Sequence, residues 1–180
     1  TYRAGQPVAG GVFDSRFGVI ENGKVCPTCK QTNVGCPGHF GHIKLARPVY
    51  LYQFLDTIQK ILQVVCLICS NPYLPAEILD SIPSKLTGID RFNEVREKTA
   101  AFNNKQYTCS TCGTDAVRKV DKLENTVASL EAKFYADEDR PNASLQPEIV
   151  LRCFQRITDE NVNKLGFNAK FSRPDWMICT

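Results

Sequence analysis

At 180 residues with 43% hydrophobic side chains, the chain is long enough to bury a core without disulfide staples. No apolar run approaches the roughly 20 residues that cross a bilayer, so no membrane partner is expected. Its nine cysteines come mostly as close pairs, the habit of metal-bound thiolates in a reducing compartment rather than of disulfides in a secreted protein. Net charge is +3 from 22 basic and 19 acidic side chains, and ligation of the paired cysteines as thiolates to divalent metal would bring the sum to about zero. Distribution says more than the sum. Over the first 65 residues Arg3, Arg16, Lys24, Lys30, Lys44, Arg47 and Lys60 face only Asp14, Glu21 and Asp56. Contact with a polyanion is expected mainly there, although an ordinary solvated surface carries such lysines too.

Residues 1–25 are rich in glycine and read as loop and short extended segments. Within them, Gly10-Gly11-Val12-Phe13-Asp14-Ser15-Arg16-Phe17-Gly18 has the look of turn, strand, turn. Cys26-Pro27-Thr28-Cys29 follows, and six residues later Cys36-Pro37-Gly38-His39-Phe40-Gly41-His42. Two ligand pairs, each with two residues between members, let short turns aim both side chains at one ion. Tetrahedral zinc takes four such thiolate and imidazole ligands. Cys26, Cys29, Cys36 and His39 are therefore the candidate first zinc site, with His42 a competitor for the histidine position. Buried structural thiols beside a surface histidine are the plain alternative.

Residues 43–49 read as a short strand, kept to a sheet edge by Pro48. From Val49 the period changes: Tyr52, Leu55, Ile58, Leu62 and Val65 mark one face of a helix. It delivers Cys66-Leu67-Ile68-Cys69 and is broken by Asn71, Pro72 and Pro75. A second amphipathic helix over residues 90–102, with Phe92, Val95, Thr99 and Phe102 on one side, leads through the polar turn 103–106 to Cys109-Ser110-Thr111-Cys112. Cys66, Cys69, Cys109 and Cys112 suggest a second, all-cysteine zinc site. A cross-brace is the other arrangement, joining Cys66/Cys69 to Cys26/Cys29 and Cys36/His39 to Cys109/Cys112. Short loops close at lower entropic cost, which favours neighbours in sequence. A redox Cys-x-x-Cys is a rival for either later pair, but no thioredoxin-like βαβ pattern surrounds them.

Alternation returns in residues 115–135, where Ala128, Leu130, Ala132 and Phe134 face one way and Ser129, Glu131 and Lys133 the other, as in a half-buried strand. Residues 136–144 read as a charged surface loop. Pro147 opens a helix whose apolar face is Ile149, Val150, Cys153, Phe154 and Ile157. Thr158 or Asp159 caps a short further helix that Gly166 ends, making a helix-turn-helix corner. Cys153, and Cys179 in the terminal apolar run, read as packed small hydrophobes. A chain that opens on Thr1 and stops inside the run Trp176-Met177-Ile178-Cys179-Thr180 reads as a piece of a longer polypeptide.

Three segments together carry a family resemblance: residues 11–20, the Cys26-to-Ile43 motif, and Leu165-Gly166-Phe167 with Phe171-Ser172-Arg173-Pro174-Asp175-Trp176-Met177. They resemble the N-terminal clamp region of the largest subunit of multisubunit DNA-directed RNA polymerases, over nearly the whole chain. The Cys-Pro-Gly-His-Phe-Gly-His form is similar to the archaeal, eukaryotic and large-DNA-virus branches, and the tight Cys109/Cys112 pair to the archaeal or viral arrangement.

The resemblance implies the two zinc sites in sequential order and an α+β fold. That fold is a set of zinc-stapled irregular lobes with amphipathic helices and short antiparallel strands, within a larger multidomain subunit. Residues 1–48 would carry the first site, 49–114 a helical lobe closed by the second, and 115–180 a strand-helix-helix part of the clamp core. It implies a mobile arm that closes over template DNA and RNA-DNA hybrid, with the other polymerase subunits, especially the second-largest, as partners. It also implies a nucleus, cytoplasm or virion as location according to the host. The enzyme class would be nucleotidyltransferase, yet no catalytic residue is expected here: Asp137-Glu138-Asp139 lacks the third aspartate of an Asp-x-Asp-x-Asp motif, so the catalytic Mg²⁺ would lie outside this segment. The alternative reading is a free-standing zinc-binding adaptor of the ubiquitin-ligase kind, which needs a cross-brace.

Overall fold

A computed structural model describes residues 2–123, 129–135 and 141–180. It divides into two compact units, Thr1–Ala46 and Arg47–Thr180.

The first unit has almost no interior. Strands β1 (Tyr2–Arg3) and β2 (Gln6–Pro7) pair antiparallel, and the Tyr2 and Phe13 rings lie 5.3 Å apart. The turn-strand-turn expected from Gly10 to Gly18 is instead a turn leading into a 3₁₀ helix, Ser15–Phe17. Asp14 is the reason. Its buried carboxylate accepts N–H bonds from Gly10 at 2.6 Å and Arg16 at 2.9 Å and pairs with the Arg16 guanidinium at 2.6 Å, curling the chain around itself. Among the described residues of this unit only Asp14 and Cys26 are buried, so apolar burial cannot be what fixes it.

The second unit has a real core. β3 (Val49–Tyr50) pairs antiparallel with β7 (Ile178–Cys179). The strand expected over 43–49 thus forms ladder only from Val49, because Pro48 has no N–H to contribute. A 3₁₀ turn, Tyr52–Phe54, precedes α1 (Leu55–Leu62), which buries Leu55, Ile58, Ile61 and Leu62. Tyr52, assigned from sequence to that face, is 75% exposed because it sits in the 3₁₀ turn. A five-residue helix, α2 (Ala76–Asp80), follows, unmarked by any periodicity because it is too short to show one. α3 (Gly88–Gln106) is longer than expected: the polar turn 103–106 is its last turn, with Asn103 buried. It ends where Tyr107 turns left-handed and donates its N–H to the Asn103 carbonyl at 2.9 Å.

A three-stranded antiparallel sheet, β4 (Val117–Lys122), β5 (Leu130–Phe134) and β6 (Ala143–Leu145), lies beside these helices. β5 keeps the expected alternation, burying Leu130 and Ala132. Ala128 and the acidic stretch 137–139 lie outside the described residues. Part of the expected loop 136–144 is strand, since Ala143 pairs with Ala132. α4 (Pro147–Gln155) buries Val150, Cys153 and Phe154, whereas Ile149 is 46% exposed. In the first turn after Pro147, Ile149 points off the stripe that faces the core. Thr158 caps α5 (Asp159–Lys164) by accepting the Asn161 N–H. Gly166 turns with φ +99° where a Cβ would meet the Gly88 carbonyl at 2.6 Å, which fixes how closely α5 approaches the start of α3. One apolar core joins α1, α3, β4, β5, β6, α4 and α5, and the Tyr50 hydroxyl donates to the Leu145 carbonyl at 2.8 Å inside it. Cys153 is buried as expected. Cys179 is exposed, because the two-stranded β3–β7 ladder turns it outward at Val49.

Candidate metal centres

Three of the cysteine-bearing turns repeat one backbone design. The N–H of Cys26 donates to the Gln31 carbonyl at 2.8 Å, and that of Lys30 to the Cys26 carbonyl at 2.8 Å, with Val25 bridging Thr32. The Cys66 N–H donates to the Asn71 carbonyl at 2.9 Å and the Cys66 carbonyl accepts from the Ser70 N–H at 2.9 Å, with Val65 bridging Pro72. The Cys109 N–H donates to the Thr114 carbonyl at 2.7 Å and the Cys109 carbonyl accepts from the Gly113 N–H at 2.9 Å, with Thr108 bridging Asp115. In each, the residue four after the first cysteine is left-handed, φ +61° at Lys30, +62° at Ser70 and +71° at Gly113. That turn folds the chain back so that both cysteines of the pair project to one side. Only Gly113 advertises it in sequence; Lys30 and Ser70 adopt it against their own preference.

The fourth ligand pair is held differently. Gly38, at φ +81°, turns the chain between Cys36 and His39. The His39 N–H then donates to the Phe17 carbonyl at 2.7 Å. Gly18 lies against it, and a Cβ there would stand 3.2 Å from the Gly38 Cα and 3.5 Å from the Cys36 Sγ. The Ser15 carbonyl is 3.7 Å from the Cys26 Sγ, and the Thr28 hydroxyl donates to the Arg16 carbonyl at 2.8 Å. The glycine-bounded stretch 10–18 is therefore the cradle of this cluster, a role its spacing alone did not reveal.

The structure brings together Cys26, Cys29, Cys36 and His39 in the first unit, and Cys66, Cys69, Cys109 and Cys112 in the second, the ligand atoms of each group lying within 4.8 Å of one another. This is the sequential grouping and not the cross-brace. His42 is exposed and belongs to neither group. The donor set can be tested against tetrahedral metal. Zn–S and Zn–N bonds of about 2.3 and 2.0–2.1 Å put tetrahedral S···S edges at roughly 3.8 Å and S···N edges at roughly 3.6 Å. Cys66 and Cys112 sulfurs are 3.6 Å apart, Cys69 and Cys109 3.7 Å, and Cys36 Sγ and His39 Nε2 3.6 Å. All nine cysteines are free. The residues fit a tetrahedral ion in both groups.

Thiol acidities agree with that fit. Burial opposes the Cys26 thiolate, but the N–H groups of Cys29 and Thr28 aimed at its sulfur outweigh it and bring the thiol down to about 6. At Cys112 burial again opposes, and the Thr114 hydroxyl, 2.9 Å away, with the Thr114 N–H brings it down to about 6. Burial pushes Cys109 up to about 12 and raises Cys69. Each group thus yields one thiolate readily, while full ionisation needs a cation in the centre. Thr114, which also reaches the Cys66 Sγ at 3.4 Å, is a contributor that sequence spacing did not single out.

The family described as RNA polymerase Rpb1, domain 1, matches residues 1–180. Among curated proteins, the DNA-directed RNA polymerase subunit Rpo1N of Methanocaldococcus jannaschii is 34% identical over 180 residues, covering 98% of this chain and 13% of that protein. Rpo1N of Sulfolobus acidocaldarius is 33% identical, covering 98% of this chain and 20% of that subunit. The DNA-directed RNA polymerase II subunit RPB1 of Euplotoides octocarinatus is 29% identical, covering 98% of this chain and 39% of that protein. The chain therefore spans well under half the length of these relatives.

Proposed function

The chain belongs to the RNA polymerase Rpb1 domain 1 family, the N-terminal region of the largest polymerase subunit, and from that premise we propose that it is a zinc-stabilised clamp module of a DNA-directed RNA polymerase. Zn²⁺ is the ion assigned to both groups, with Cys26, Cys29, Cys36 and His39 as one ligand set and Cys66, Cys69, Cys109 and Cys112 as the other. Zinc here supplies no reaction; it fixes loops that have too little interior to fix themselves. The observation that carries this is the first unit, which holds a four-ligand cluster and buries only Asp14 and Cys26 among its described residues.

In this reading residues 1–48, 49–114 and 115–180 act as parts of one arm that closes over template DNA and RNA-DNA hybrid. The second-largest subunit is a neighbour, and the nucleotidyltransfer chemistry with its Mg²⁺ is supplied elsewhere in the polymerase. The protein works in the nucleus of a eukaryotic host, or in the cytoplasm or virion of an archaeal or viral one. No described helix is long and apolar enough to cross a membrane. The sequential ligand grouping speaks against the adaptor alternative, which requires interleaved pairs.

The test is a reconstituted polymerase carrying Cys66→Ser with Cys109→Ser. Synthesis of the first phosphodiester bonds is expected to persist, while stalled elongation complexes dissociate faster in a salt challenge. Loss of bond formation itself, or complexes as salt-resistant as wild type, would overturn the assignment.

A further inference from the structure

The second cluster has a support that the first lacks. α4 and the residue that caps its C-terminus, Arg156, each lay a side chain directly on the Cys66–Asn71 turn. The buried Cys153 thiol donates to the Cys66 carbonyl at 3.5 Å and accepts from the Ser70 hydroxyl at 3.5 Å. The Arg156 guanidinium donates to the Ile68 carbonyl at 3.0 Å. From α5, the Asn161 amide donates to the Asn71 side-chain oxygen at 3.2 Å. Every one of these contacts falls on the loop that presents Cys66 and Cys69, and they span 83 to 90 residues of sequence.

Ser70 explains why the support matters. It occupies the left-handed position that the partner turn gives to Gly113, where a side chain is unfavourable, and it is 1% exposed. A glycine would relax the backbone but remove the hydroxyl. With serine, the hydroxyl donates to the Cys153 sulfur and the Cys153 thiol to the Cys66 carbonyl, a relay that the Ser70 N–H closes by donating to the same carbonyl at 2.9 Å. The first cluster's Cys26 turn places the exposed Lys30 at the same position, and no such relay joins it among the described residues.

We propose that Cys153 and Arg156 are positioning residues for the second metal centre. They hold the Cys66–Asn71 turn in its ligand-ready geometry, so that the affinity of the all-cysteine centre depends on the seating of α4. The proposal rests on the reading that this cluster binds metal. Outer contacts of this kind are typically worth 10–100-fold in affinity.

The test loads the 180-residue chain with Co²⁺, whose absorption separates an all-thiolate centre from one with an imidazole ligand. Transfer of metal to a competing chelator is then followed at each centre, and repeated with Zn²⁺. Cys153→Ala and Arg156→Gln should each weaken the all-cysteine centre by about tenfold or more and leave the Cys26 centre unchanged. Cys153→Ser, which keeps a donor and an acceptor, should return to near wild type. Val150→Ala, an equally buried truncation on the same helix, should have a much smaller effect. Equal losses at both centres, wild-type affinity in both variants, or a Val150→Ala loss matching Cys153→Ala would overturn the proposal. Failure of the wild-type chain to take up Co²⁺ at the all-cysteine cluster would instead overturn the metal reading beneath it.

Discussion

His39 and His42 stand three residues apart, and only His39 joins the cysteines, its Nε2 lying 3.6 Å from the Cys36 Sγ. His39→Ala removes one ligand of four. Structural zinc in small folds binds with about 10–16 kcal/mol, so an equal share is roughly 2.5–4 kcal/mol, or about 10²- to 10³-fold in affinity. The loss should stay within that range rather than be total. The bond from the residue 39 N–H to the Phe17 carbonyl, 2.7 Å, belongs to the backbone and survives, and water can fill the vacated position. His42→Ala, on an exposed side chain outside the cluster, should change affinity less than threefold. The assay is chelator competition on the purified chain with zinc counted by elemental analysis, the all-cysteine centre serving as internal reference. A wild-type chain without zinc, or a His42→Ala that loses metal while His39→Ala keeps it, would refute the ligand assignment.

Gly41→Ala should loosen the same centre from a distance. An added Cβ would lie 2.2 Å from the Phe17 Cε1 and 3.0 Å from its Cδ1, so the ring that neighbours the His39-binding carbonyl must move, at an overpacking cost of about 1–3 kcal/mol. Faster zinc loss from the first centre, with Val34→Ala as a control on a side chain that is 91% exposed, is the readout; equal rates in the two variants would contradict it. Asp121, between Lys119 at 2.7 Å and Lys133 at 3.0 Å, has its carboxyl held below the usual range, first by the Lys119 bond and then by the Lys133 bond. A carboxylate depressed by folding stabilises above its unfolded pKa and loses that contribution as pH falls through the folded one. The melting-temperature gap between wild type and Asp121→Asn should therefore be present at pH 7, worth less than about 1 kcal/mol at this partly exposed site, and shrink below about pH 4. A gap that widens in acid would reverse the sign of the argument.

What was legible in the sequence follows from range. Both ligand groups could be read because each half-site is local, two residues between members, and the choice between groupings turned on loop entropy. Heptad-like spacing found the interior faces of α1 and α3, and alternation found β5. What escaped depends on partners distant in sequence or on single dihedral angles. β4 and β6 lack clean alternation because β4 carries a register shift between Val117 and Lys119 and β6 is three residues long. The left-handed Lys30 and Ser70 are invisible because neither residue type signals it. Sequence pattern ends α3 early because Asn103 reads as a helix breaker, whereas its buried position draws the helix on to Gln106. The helical stripe puts Cys153 inside, but its bond to the Cys66 carbonyl spans 87 residues, beyond the reach of any local pattern.

The two units solve one problem by opposite means. The second has a continuous apolar core from Tyr50 to Ile178, so an ion held by its four cysteines would need only to fasten the turns at residues 66–71 and 109–114 to a body that folding already provides. In the first, the apolar side chains Tyr2, Val12, Phe13, Ile20, Val34 and Phe40 are exposed, and the chain is ordered by polar devices: the Asp14 network, the Phe17-to-His39 bond and the four ligands. Hydrophobic burial tolerates substitution because many small contacts share the load; a four-ligand centre does not, because each ligand carries a large fraction. Residues 10–42 should therefore be intolerant at individually named positions, Asp14, Gly18, Gly38, Gly41 and the ligands, and more permissive at exposed side chains between them. The core of the second unit should show the reverse, a broad and shallow sensitivity. Rigidity in a segment without an interior has to be local chemistry, and that is what the spacing from Cys26 to His39 encodes.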